Sequence, residues 1–561
     1  MRLIKVNTKF SSNQGRRWYH YANHNVKMWA TGFAYYQDNL FKGRYLIQKI
    51  RKIALTKNKI YQFISELNGN YALVYVTKEF VVAVVDHIRS IPIFYSFDYG
   101  QFFFSDDAAW IRGQLKEPKI DRNAALEFAL TGYVTGRDTV ITQIKQLKPG
   151  EIALINVSSH KKLSISAYNK NISRKVDKYC EENISHDFHR VINKVFTRLI
   201  GSLKGKKIVV PLSAGYDSFF IVCMLKKLDA KDVLCFSYGR KGNYQAEVSK
   251  KRANSIGYDW AFIPYDRKRW RAWQKKPEWH EFCKYASNLH VLPHIQDWPA
   301  VFEMKRREMI QNESVFVPGH TVAIKLSMRP ESKSRDELVR SILNKHYTLW
   351  DWSLKKRSIE KMVRYKILTS FEKLRFTDYE DTVRAYESWE WNERQIKFII
   401  NAVRVYEFFG YEWRLPLWDK DFVQFWKGVP LQLRIDKLLL RKVTAQFNQH
   451  DTSQNLAALN PSENEKKLRS NLSIIRENIK SCPTLFYFLN KLDLRRTGIL
   501  DYWLNPYCYT GNMSFLEFLK YYHYTINANS ILMKSVFMDS DLFELPNSIT
   551  SFFNKFKIQA S

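Results

Sequence analysis

A short turn between a predicted strand and a predicted helix contains the groups that bind pyrophosphate. It follows the apolar run 208–212 and consists of Ser213, Ala214, Gly215, Tyr216, Asp217 and Ser218. Backbone N–H groups in such a turn and at the helix start converge on an anion, and the helix dipole favours negative charge there. Gly215 allows the backbone to approach a phosphate closely, and the serine hydroxyls add donors. Asp217 can hold a Mg²⁺ ion that is bound to the phosphates.

The string of this turn can be compared with two other kinds of turn. A Walker A loop is excluded because the string lacks the GK[ST] ending of that motif. An ordinary strand–turn–helix with a serine or aspartate N-cap stays open, since small-residue turns are common in α/β sheets.

The elements around the turn are predicted to form a parallel sheet. From about residue 190, β-rich runs at 208–212, 233–237 and 260–263 alternate with helical runs at 219–228 and 245–256. This alternation is typical of an α/β fold. Farther along, the sequence predicts a strand at 314–317 and mostly helices, of which the best defined covers 393–409.

The first 160 residues predict an antiparallel sheet with helices packed on it. Short β-rich runs such as 71–76 and 81–85 are separated by turn residues such as Pro149-Gly150. The polar and charged stretch 158–185 is predicted to be a linker.

Composition limits the class of protein. The chain has 561 residues, of which 45% are hydrophobic and 15% aromatic, so it is not a disordered chain and is long enough for several domains. No apolar run approaches the ~20 residues of a membrane span, and the N-terminus lacks an apolar signal segment. Six cysteines without paired spacing favour a reduced, cytoplasmic protein.

The net charge of +34 favours anionic partners, because 89 lysines and arginines outnumber 55 acidic residues. The basic residues are spread along the chain in short clusters such as 250–252, and no recognised nucleic-acid motif accompanies them. A solvated basic surface, an acidic substrate and an anionic membrane face stay open; a nucleic-acid partner is not expected.

The turn resembles the PP-loop of N-type ATP pyrophosphatases, whose usual form is SGGxDS, with Ala214 in place of a glycine. Members of that family cleave ATP between its α and β phosphates to adenylate a carboxylate or a similar group. The resemblance implies that residues 213–218 bind pyrophosphate. It also implies that Ser237 and Gly239, at the end of the next strand, lie near the adenosine.

Further segments resemble asparagine synthetases. Residues 411–422 are similar to the E-x-R-x-P-F-L-D segment of that family. Lys437 opens a K-x-x-L-R string, which carries an active-site lysine in the family; a surface helix lysine is the alternative. Other segments of the family resemble residues 67–72, 85–95, 104–107 and 147–150.

This resemblance implies a fold class for each part of the chain. Residues 1–165 are expected to form an α+β, Ntn-hydrolase-like antiparallel sheet sandwich of the glutamine amidotransferase type. Residues 185–445 are expected to form an α/β PP-loop domain of the adenine nucleotide α-hydrolase-like kind. Residues 446–561 are expected to be a helical, aromatic-rich extension.

The sequence departs from the family at both of its sites. The family's glutaminase nucleophile is a cysteine after the initiator Met, but Arg2 stands there and no cysteine precedes Cys180. Thr31 replaces an asparagine of the oxyanion hole, so glutamine hydrolysis is expected to be lost.

At the synthetase site, the G-E-G-x-D-E string aligns with residues 319–324, starting at Gly319. The second metal-binding aspartate falls on Ala323, which leaves Asp217 as the only acidic ligand that can be assigned to Mg²⁺. His320, in place of a glutamate, could act as a base toward an amine, or be an ordinary hydrogen-bonded loop histidine.

The sequence therefore predicts an ATP-dependent amide-forming ligase that releases AMP and pyrophosphate and uses ATP and Mg²⁺. Lys437 and His320 are the predicted catalytic residues. The expected substrate is the carboxylate of aspartate or of a sugar acid, as in surface-polysaccharide pathways, and the donor is ammonia or another amine. A peptide or lactam cyclase and a nucleotide-binding pseudoenzyme or scaffold are alternatives. A homodimer and an encounter with lipid-linked sugars at a membrane surface stay open.

Overall fold

The computed structural model describes residues 5–11, 14–53, 57–157, 163–176, 178–203, 205–326, 329–349, 357–371, 374, 376–446 and 529. Apart from Gln446 and Asn529, the extension predicted for 446–561 lies outside the described residues. No helix in the described ranges is both long enough and apolar enough to cross a membrane.

Two facing sheets form the N-terminal region. The larger sheet has the order β11-β10-β6-β5-β3-β2 with β4 beside β3, and the smaller has the order β1-β8-β7-β9. The strands are β1 (Lys5–Lys9), β2 (Tyr19–Ala22), β3 (Val26–Tyr36), β4 (Asn39–Lys42), β5 (Asn68–Thr77), β6 (Phe80–Val85), β7 (Phe94–Asp98), β8 (Gln101–Ser105), β9 (Lys145–Gln146), β10 (Glu151–Asn156) and β11 (Leu163–Ala167). The helices are α1 (Arg44–Ile53), α2 (Lys57–Glu66), α3 (Ala108–Gln114) and α4 (Arg122–Thr131).

Alternating side chains of β5 connect the layers of this region. Tyr71 and Leu73 face the apolar cluster under α1 and α2, whereas Ala72 and Val74 face the smaller sheet. Helix α3 packs on β7 and β8. The predicted sandwich of sheets with helices is confirmed, but it is not wholly antiparallel, because β1 pairs with β8 in parallel.

The second region is built on a five-stranded parallel sheet with the order β14-β13-β12-β15-β16. Its strands are β12 (Ile208–Pro211), β13 (Val233–Gly239), β14 (Asp259–Pro264), β15 (Val315–Phe316) and β16 (Glu412–Trp413). The chain runs outward on one side from β12 and then returns to β15 on the other side. Ligands bind at the carboxyl edge of a sheet where the strand order reverses in this way.

Helices surround this sheet, as the alternating pattern predicts. They are α5 (Glu181–Ser202), α6 (Tyr216–Lys227), α7 (Tyr244–Ile256), α8 (Arg267–Gln274), α9 (Pro277–Ser287), α10 (Trp298–Arg306), α11 (Arg335–His346), α12 (Arg357–Thr369), α13 (Tyr379–Trp389), α14 (Arg404–Phe408), α15 (Lys420–Lys427), α16 (Leu431–Arg434) and α17 (Leu438–Gln446). The strands and helices predicted between 208 and 263 are confirmed, with ends that shift by a few residues.

Two predicted elements need correction. The helix predicted for 393–409 is the end of a longer helical path that begins with α13. It continues as a π-helix over Glu390–Ile399 and a 3-10 helix over Ile400–Val403 before α14. The linker predicted for 158–185 is wrong at both ends, because 163–167 pair with β10 and α5 begins at Glu181.

The largest apolar cluster joins the two regions. It includes Ile88, Phe94 and Phe128 from the N-terminal region together with side chains from α5 to α17, as far as Val443. The N-terminal region therefore forms one wall of the core that supports the parallel sheet.

Candidate functional site

The serine hydroxyl groups of the turn after β12 form hydrogen bonds with the backbone of the same turn. The Ser213 Oγ accepts a hydrogen bond from the Gly215 N–H at 3.1 Å, and the Ser218 Oγ accepts one from the Ser213 N–H at 3.2 Å. Gly215 is the N-cap of α6, and no side chain caps the helix. The alternative of an ordinary serine or aspartate N-cap is therefore wrong, because no side chain caps the backbone N–H groups at the helix start.

Arg252 of α7 fixes the other side of this turn. Its guanidinium Nη1 donates to the carbonyl oxygen of Gly215 at 3.0 Å and to that of Ser213 at 3.4 Å, and the side chain is buried against the ring of Phe219. The carbonyl oxygens are thus turned toward α7. Sequence reasoning missed this residue, because it belongs to a short basic cluster typical of a solvated surface.

Asp217 and Lys437 are brought together from positions 220 residues apart. The Lys437 Nζ lies 2.6 Å from the Asp217 Oδ2, while the buried Oδ1 has no hydrogen-bond partner among the described residues. Burial raises the pKa of Asp217, and the charge of Lys437 opposes this rise. Lys437 is thus half-buried and ion-paired.

The backbone that presents Lys437 is strained. Asp436 and Lys437 both have positive φ, at 52° and 59°, in a region that residues other than glycine rarely occupy. Such strain costs on the order of 1–3 kcal/mol per residue and is concentrated at functional sites. Helix α17 begins directly afterwards, and its Arg441 lies 5.3 Å from the ring centroid of Tyr216.

Gly319 brings a second loop against the start of α6. A Cβ at this position would lie 2.9 Å from the Ser218 backbone nitrogen and 3.1 Å from its Cα. Only a glycine fits there without displacing the backbone. The loop after β15 therefore touches the turn formed by residues 213–218, which is called the phosphate turn below. The alignment of 319–324 predicts a loop near this turn.

His320 is half-buried beside this contact, and its Nδ1 has no hydrogen-bond partner in the described part of the chain. Burial lowers the pKa of His320 to about 4; His294 adds to this shift and Asp297 opposes it. The imidazole is therefore neutral near pH 7, but it is a weak base. The interpretation as an ordinary hydrogen-bonded histidine is not supported at Nδ1.

Ser237 and Gly239 lie at the carboxyl end of β13, beside β12, on the same edge of the sheet as the phosphate turn. Between them, Tyr238 donates a hydrogen bond to the Asp297 Oδ1 at 2.6 Å. Tyr406 donates to the Asp297 Oδ2 at 2.5 Å. Asp297 was not predicted, and its two engaged oxygens make it a positioning group for the two tyrosines.

A Mg²⁺ ion would find one acidic ligand in the turn. Among the described residues, no group of three or more histidine, cysteine or acidic side chains could hold a metal. Ala323 is fully buried and apolar, so it offers no ligand. Mg²⁺ is often bound by one or two carboxylates together with substrate phosphates, and the unpartnered Asp217 Oδ1 fits one such position.

The site predicted to be degenerate has its polar groups occupied. The Thr31 Oγ1 donates to the Arg17 carbonyl oxygen at 2.9 Å. The neighbouring Gly32 has a φ of +82°, and a Cβ there would lie 2.0 Å from the Asn70 carbonyl oxygen. Arg2 lies outside the described residues.

The carboxylate of Asp106 forms a network of hydrogen bonds and an ion pair just after the end of β1. The Asp106 Oδ1 accepts a hydrogen bond from the Ser11 N–H, and its Oδ2 accepts bonds from the Ser11 hydroxyl and the Trp18 ring. The Arg16 guanidinium lies 3.0 Å from the same Oδ2, and both ion-pair partners are almost fully buried.

The described cysteines are all free thiols. Cys223, Cys235 and Cys283 are buried, and burial raises the pKa of Cys235 and of Cys283 to about 12. Thiols of this kind are poor nucleophiles, because the thiolate is the reactive form. The exposed Cys180 donates a hydrogen bond to Glu182 at the start of α5.

Residues 53–168 match the family described as the glutamine amidotransferase domain. The matched stretch contains α2 to α4 and β5 to β11, and it ends before α5. This part of the chain is therefore similar to a glutamine amidotransferase domain, and it is called amidotransferase-type below. No curated protein sequence matches the chain.

Similar solved structures are distant. The allosteric regulatory enzyme of purine biosynthesis is 11% identical over 55% of this chain and 57% of that one, with a TM-score of 0.19. The glutamine phosphoribosylpyrophosphate amidotransferase from B. subtilis, complexed with ADP and GMP, is 11% identical over 55% and 65%, with a TM-score of 0.19. The U34-tRNA thiolase NcsA from Methanococcus maripaludis, with its 4Fe–4S cluster, is 13% identical over 56% and 81%, with a TM-score of 0.22. This chain thus spans less than two thirds of the first two structures, and such low scores carry no conclusion about its fold or activity.

Proposed function

We propose that the protein is an ATP-dependent amide-forming ligase that activates a carboxylate as an acyl-adenylate. The observation that carries the proposal is the pairing of Lys437 with Asp217 at the uncapped start of α6. This pair lies where the order of a parallel sheet reverses, which is the expected place for a nucleotide. The resemblance of 213–218 to a PP-loop and of 437–441 to the K-x-x-L-R string supports the same assignment.

In the first step, a substrate carboxylate oxygen attacks the α-phosphorus of ATP, and the bond to the bridging oxygen of pyrophosphate breaks. The N–H groups at the start of α6 bind the departing pyrophosphate, because they point toward the helix N-terminus. Lys437 stabilises the negative charge that grows on it. Ser237 and Gly239 border the adenosine.

A Mg²⁺ ion, when bound, would neutralise phosphate charge. The Asp217 Oδ1 is the atom that would hold it, because this buried oxygen has no hydrogen-bond partner among the described residues. Arg252 keeps the turn carbonyls directed away from the phosphates, which would repel them.

In the second step, an amine nitrogen attacks the acyl carbon, AMP leaves with the electrons of the C–O bond, and the nitrogen loses a proton. His320 is unprotonated near pH 7 but has a pKa of only about 4. Such a weak base deprotonates an ammonium ion poorly, so the amine reacts in its free-base form. The role of His320 is then to accept a hydrogen bond from the amine.

We propose that free ammonia or another amine, and not glutamine, supplies the nitrogen. The amidotransferase-type domain would then serve as a structural part of the ligase. This is supported by the Thr31 hydroxyl, which is engaged with the Arg17 carbonyl oxygen. The carboxylate substrate belongs to aspartate or to a sugar acid.

A nucleotide-binding protein without turnover is the second candidate. It is favoured by the single carboxylate at the phosphate turn and by the buried, apolar Ala323 at the expected second ligand position. Such a protein would bind ATP and Mg²⁺ but form no AMP.

The test is product formation by the purified chain with ATP, Mg²⁺, ammonium chloride and a panel of carboxylates. Equal amounts of AMP and pyrophosphate are expected, and they should vanish in Lys437→Met. The matched control is Lys442→Met on the following helix, α17, which removes an exposed lysine paired with Glu181. ATP binding without AMP release under any pairing would favour the second candidate, and ADP as the product would contradict the ligase.

A further inference from the structure

A polar cavity of about 40 Å³ lies between the end of α11 and the π-helical segment. Its polar lining comes from Thr131, Lys345, His346, Thr348, Arg394 and Asn529. Neither the predicted phosphate turn nor the adenosine positions border it. Short π-helical insertions are frequent at functional sites, and Arg394 lies in one.

Arg394 lacks a counter-charge. Its side chain lies 4.7 Å from the ring centroid of Phe398, and it makes no ion pair with any residue that the structure describes. It is also half-buried, so water solvates it incompletely. A guanidinium in this position binds an oxyanion well, because its planar donors match a carboxylate or a phosphate.

His346 adds unsatisfied hydrogen-bonding groups to the same cavity. Its side chain is fully buried, and neither ring nitrogen has a hydrogen-bond partner in the described ranges. Its Nε2 is 4.0 Å from the Glu390 carboxylate, which is too far for a hydrogen bond. Burial and the charges of Lys345 and Arg394 lower the pKa of His346, so the ring is neutral and keeps one N–H donor.

The side chains that the structure describes around the cavity carry an excess of one positive charge. Lys345 lies 2.6 Å from the Glu390 Oε2, and this pair is neutral as a whole. Arg394 then remains uncompensated. Other nearby carboxylates are engaged: Glu393 pairs with Lys397 at 2.7 Å. The cavity is therefore suited to a single oxyanion.

The cavity adjoins the proposed ligase site. Phe398, which lines it, packs against the ring of His294 with centroids 5.5 Å apart. The positive charge of Arg394 lowers the pKa of His294, and His294 in turn lowers the pKa of His320. His320 follows Gly319, which touches the phosphate turn.

We propose that the Lys345–His346–Arg394 cavity binds an oxyanion that the substrate carries in addition to its reacting carboxylate. Arg394 binds this group, and His346 donates a hydrogen bond to it. The inference rests on the proposed function for the location of the reacting carboxylate. A second carboxylate and a phosphate share the required chemistry, and the experiment distinguishes them.

The test uses the full chain and two matched pairs of probes in calorimetric titrations. Succinate and succinamate differ by one carboxylate, and phosphoglycolate and glycolate differ by one phosphate. We expect succinate or phosphoglycolate to bind at least about tenfold more tightly than its partner, which carries one oxyanion fewer. The pair with the larger difference identifies the oxyanion.

Variants connect this preference with the cavity. Arg394→Gln should abolish the preference, Arg394→Lys should restore part of it, and Arg340→Gln, at an exposed position of α11, should leave it unchanged. A preference that is absent, or that survives Arg394→Gln, overturns the proposal. A preference that depends on Arg394 in a protein that never forms AMP supports the oxyanion site and contradicts the ligase, so the two failures are distinguishable.

Discussion

Two aspartates in this protein, the buried Asp106 and the half-buried Asp217, have opposite surroundings. Both oxygens of Asp106, in the amidotransferase-type region, are occupied by donors from Ser11, Trp18 and Arg16. Asp217, at the phosphate turn, pairs one oxygen with Lys437 and leaves the other without a partner among the described residues.

We infer from this difference that the engaged carboxylate of Asp106 stabilises the fold, whereas the unengaged oxygen of Asp217 binds a ligand. A buried polar group without a hydrogen bond costs about 1–3 kcal/mol, so folding alone does not favour it. Most buried polar groups in native proteins are satisfied, and each exception requires an explanation. At Asp217 and at the Nδ1 of His320, a bound nucleotide and its partners are the explanation we infer.

The largest expected effect concerns nitrogen supply. Glutamine should not support amide formation, whereas ammonium chloride should, because hydrolysis of a carboxamide needs an activated nucleophile. Amide product and glutamate release are to be compared for the two donors at about pH 8. Glutamate released in step with product by the purified chain would contradict this.

Asp217→Asn should lower the rate of ATP–pyrophosphate exchange at least about 1,000-fold while the fold is retained. The change removes the charge that holds Lys437 and the proposed metal ligand. Asp232→Asn, at an exposed aspartate paired with Lys207, is the matched control. Exchange at a near wild-type rate would refute the assignment of Asp217.

Asp106→Asn should have the opposite profile. It leaves the buried Arg16 without one of its carboxylate partners, so the free energy of unfolding should fall by about 3 kcal/mol. Urea unfolding measures the loss, and exchange activity per folded molecule should stay close to wild type. A stable variant with lost activity would place catalysis in the first region and break the comparison.

Gly319→Ala should disturb the contact between the two loops at the phosphate turn. Its methyl group would press on the Ser218 backbone, so we expect destabilisation by about 2 kcal/mol and weaker ATP binding. Gly201→Ala, within α5 and facing open space, should be neutral or slightly stabilising. Thermal unfolding and ATP titration of both variants check the expectation.

The smallest effect is a pH dependence at His320. Its pKa is about 4 in the folded chain and near 6.5 when unfolded, so the unfolded chain binds more protons between these values. The stability it contributes is present above pH 6.5 and is lost as the pH falls. Between pH 7 and 5.5, His320→Gln should therefore lose about 1 kcal/mol less unfolding free energy than wild type. Equal losses in urea unfolding would mean that His320 titrates normally.

The sequence predicted the local parts of this site better than the parts that assemble across the fold. Strand, turn and helix around 208–228 follow from hydrophobic pattern and turn chemistry, and the structure has them there. Lys437 was found only through a resemblance, because nothing in its local sequence indicates a contact with Asp217.

Arg252, Asp297 and Arg394 were missed for a common physical reason. Each is a charged residue in a stretch that is equally typical of a solvated helix face. Their roles depend on what packs against them: the turn carbonyls on Arg252, two tyrosines on Asp297, and Phe398 on Arg394. The positive φ at Lys437 likewise depends on tertiary packing, and no glycine in the sequence indicates it.

The apolar cluster that runs from Ile88 to Val443 makes the amidotransferase-type region part of the core of the parallel-sheet region. A nucleophile can be lost through one substitution, but deletion of the domain would expose the side chains that it shares with the parallel sheet. Selection for folding alone then preserves the domain. Expression of either region alone is accordingly expected to give aggregation-prone protein. If the parallel-sheet region were fused to another enzyme, it would still need the N-terminal region that covers its core.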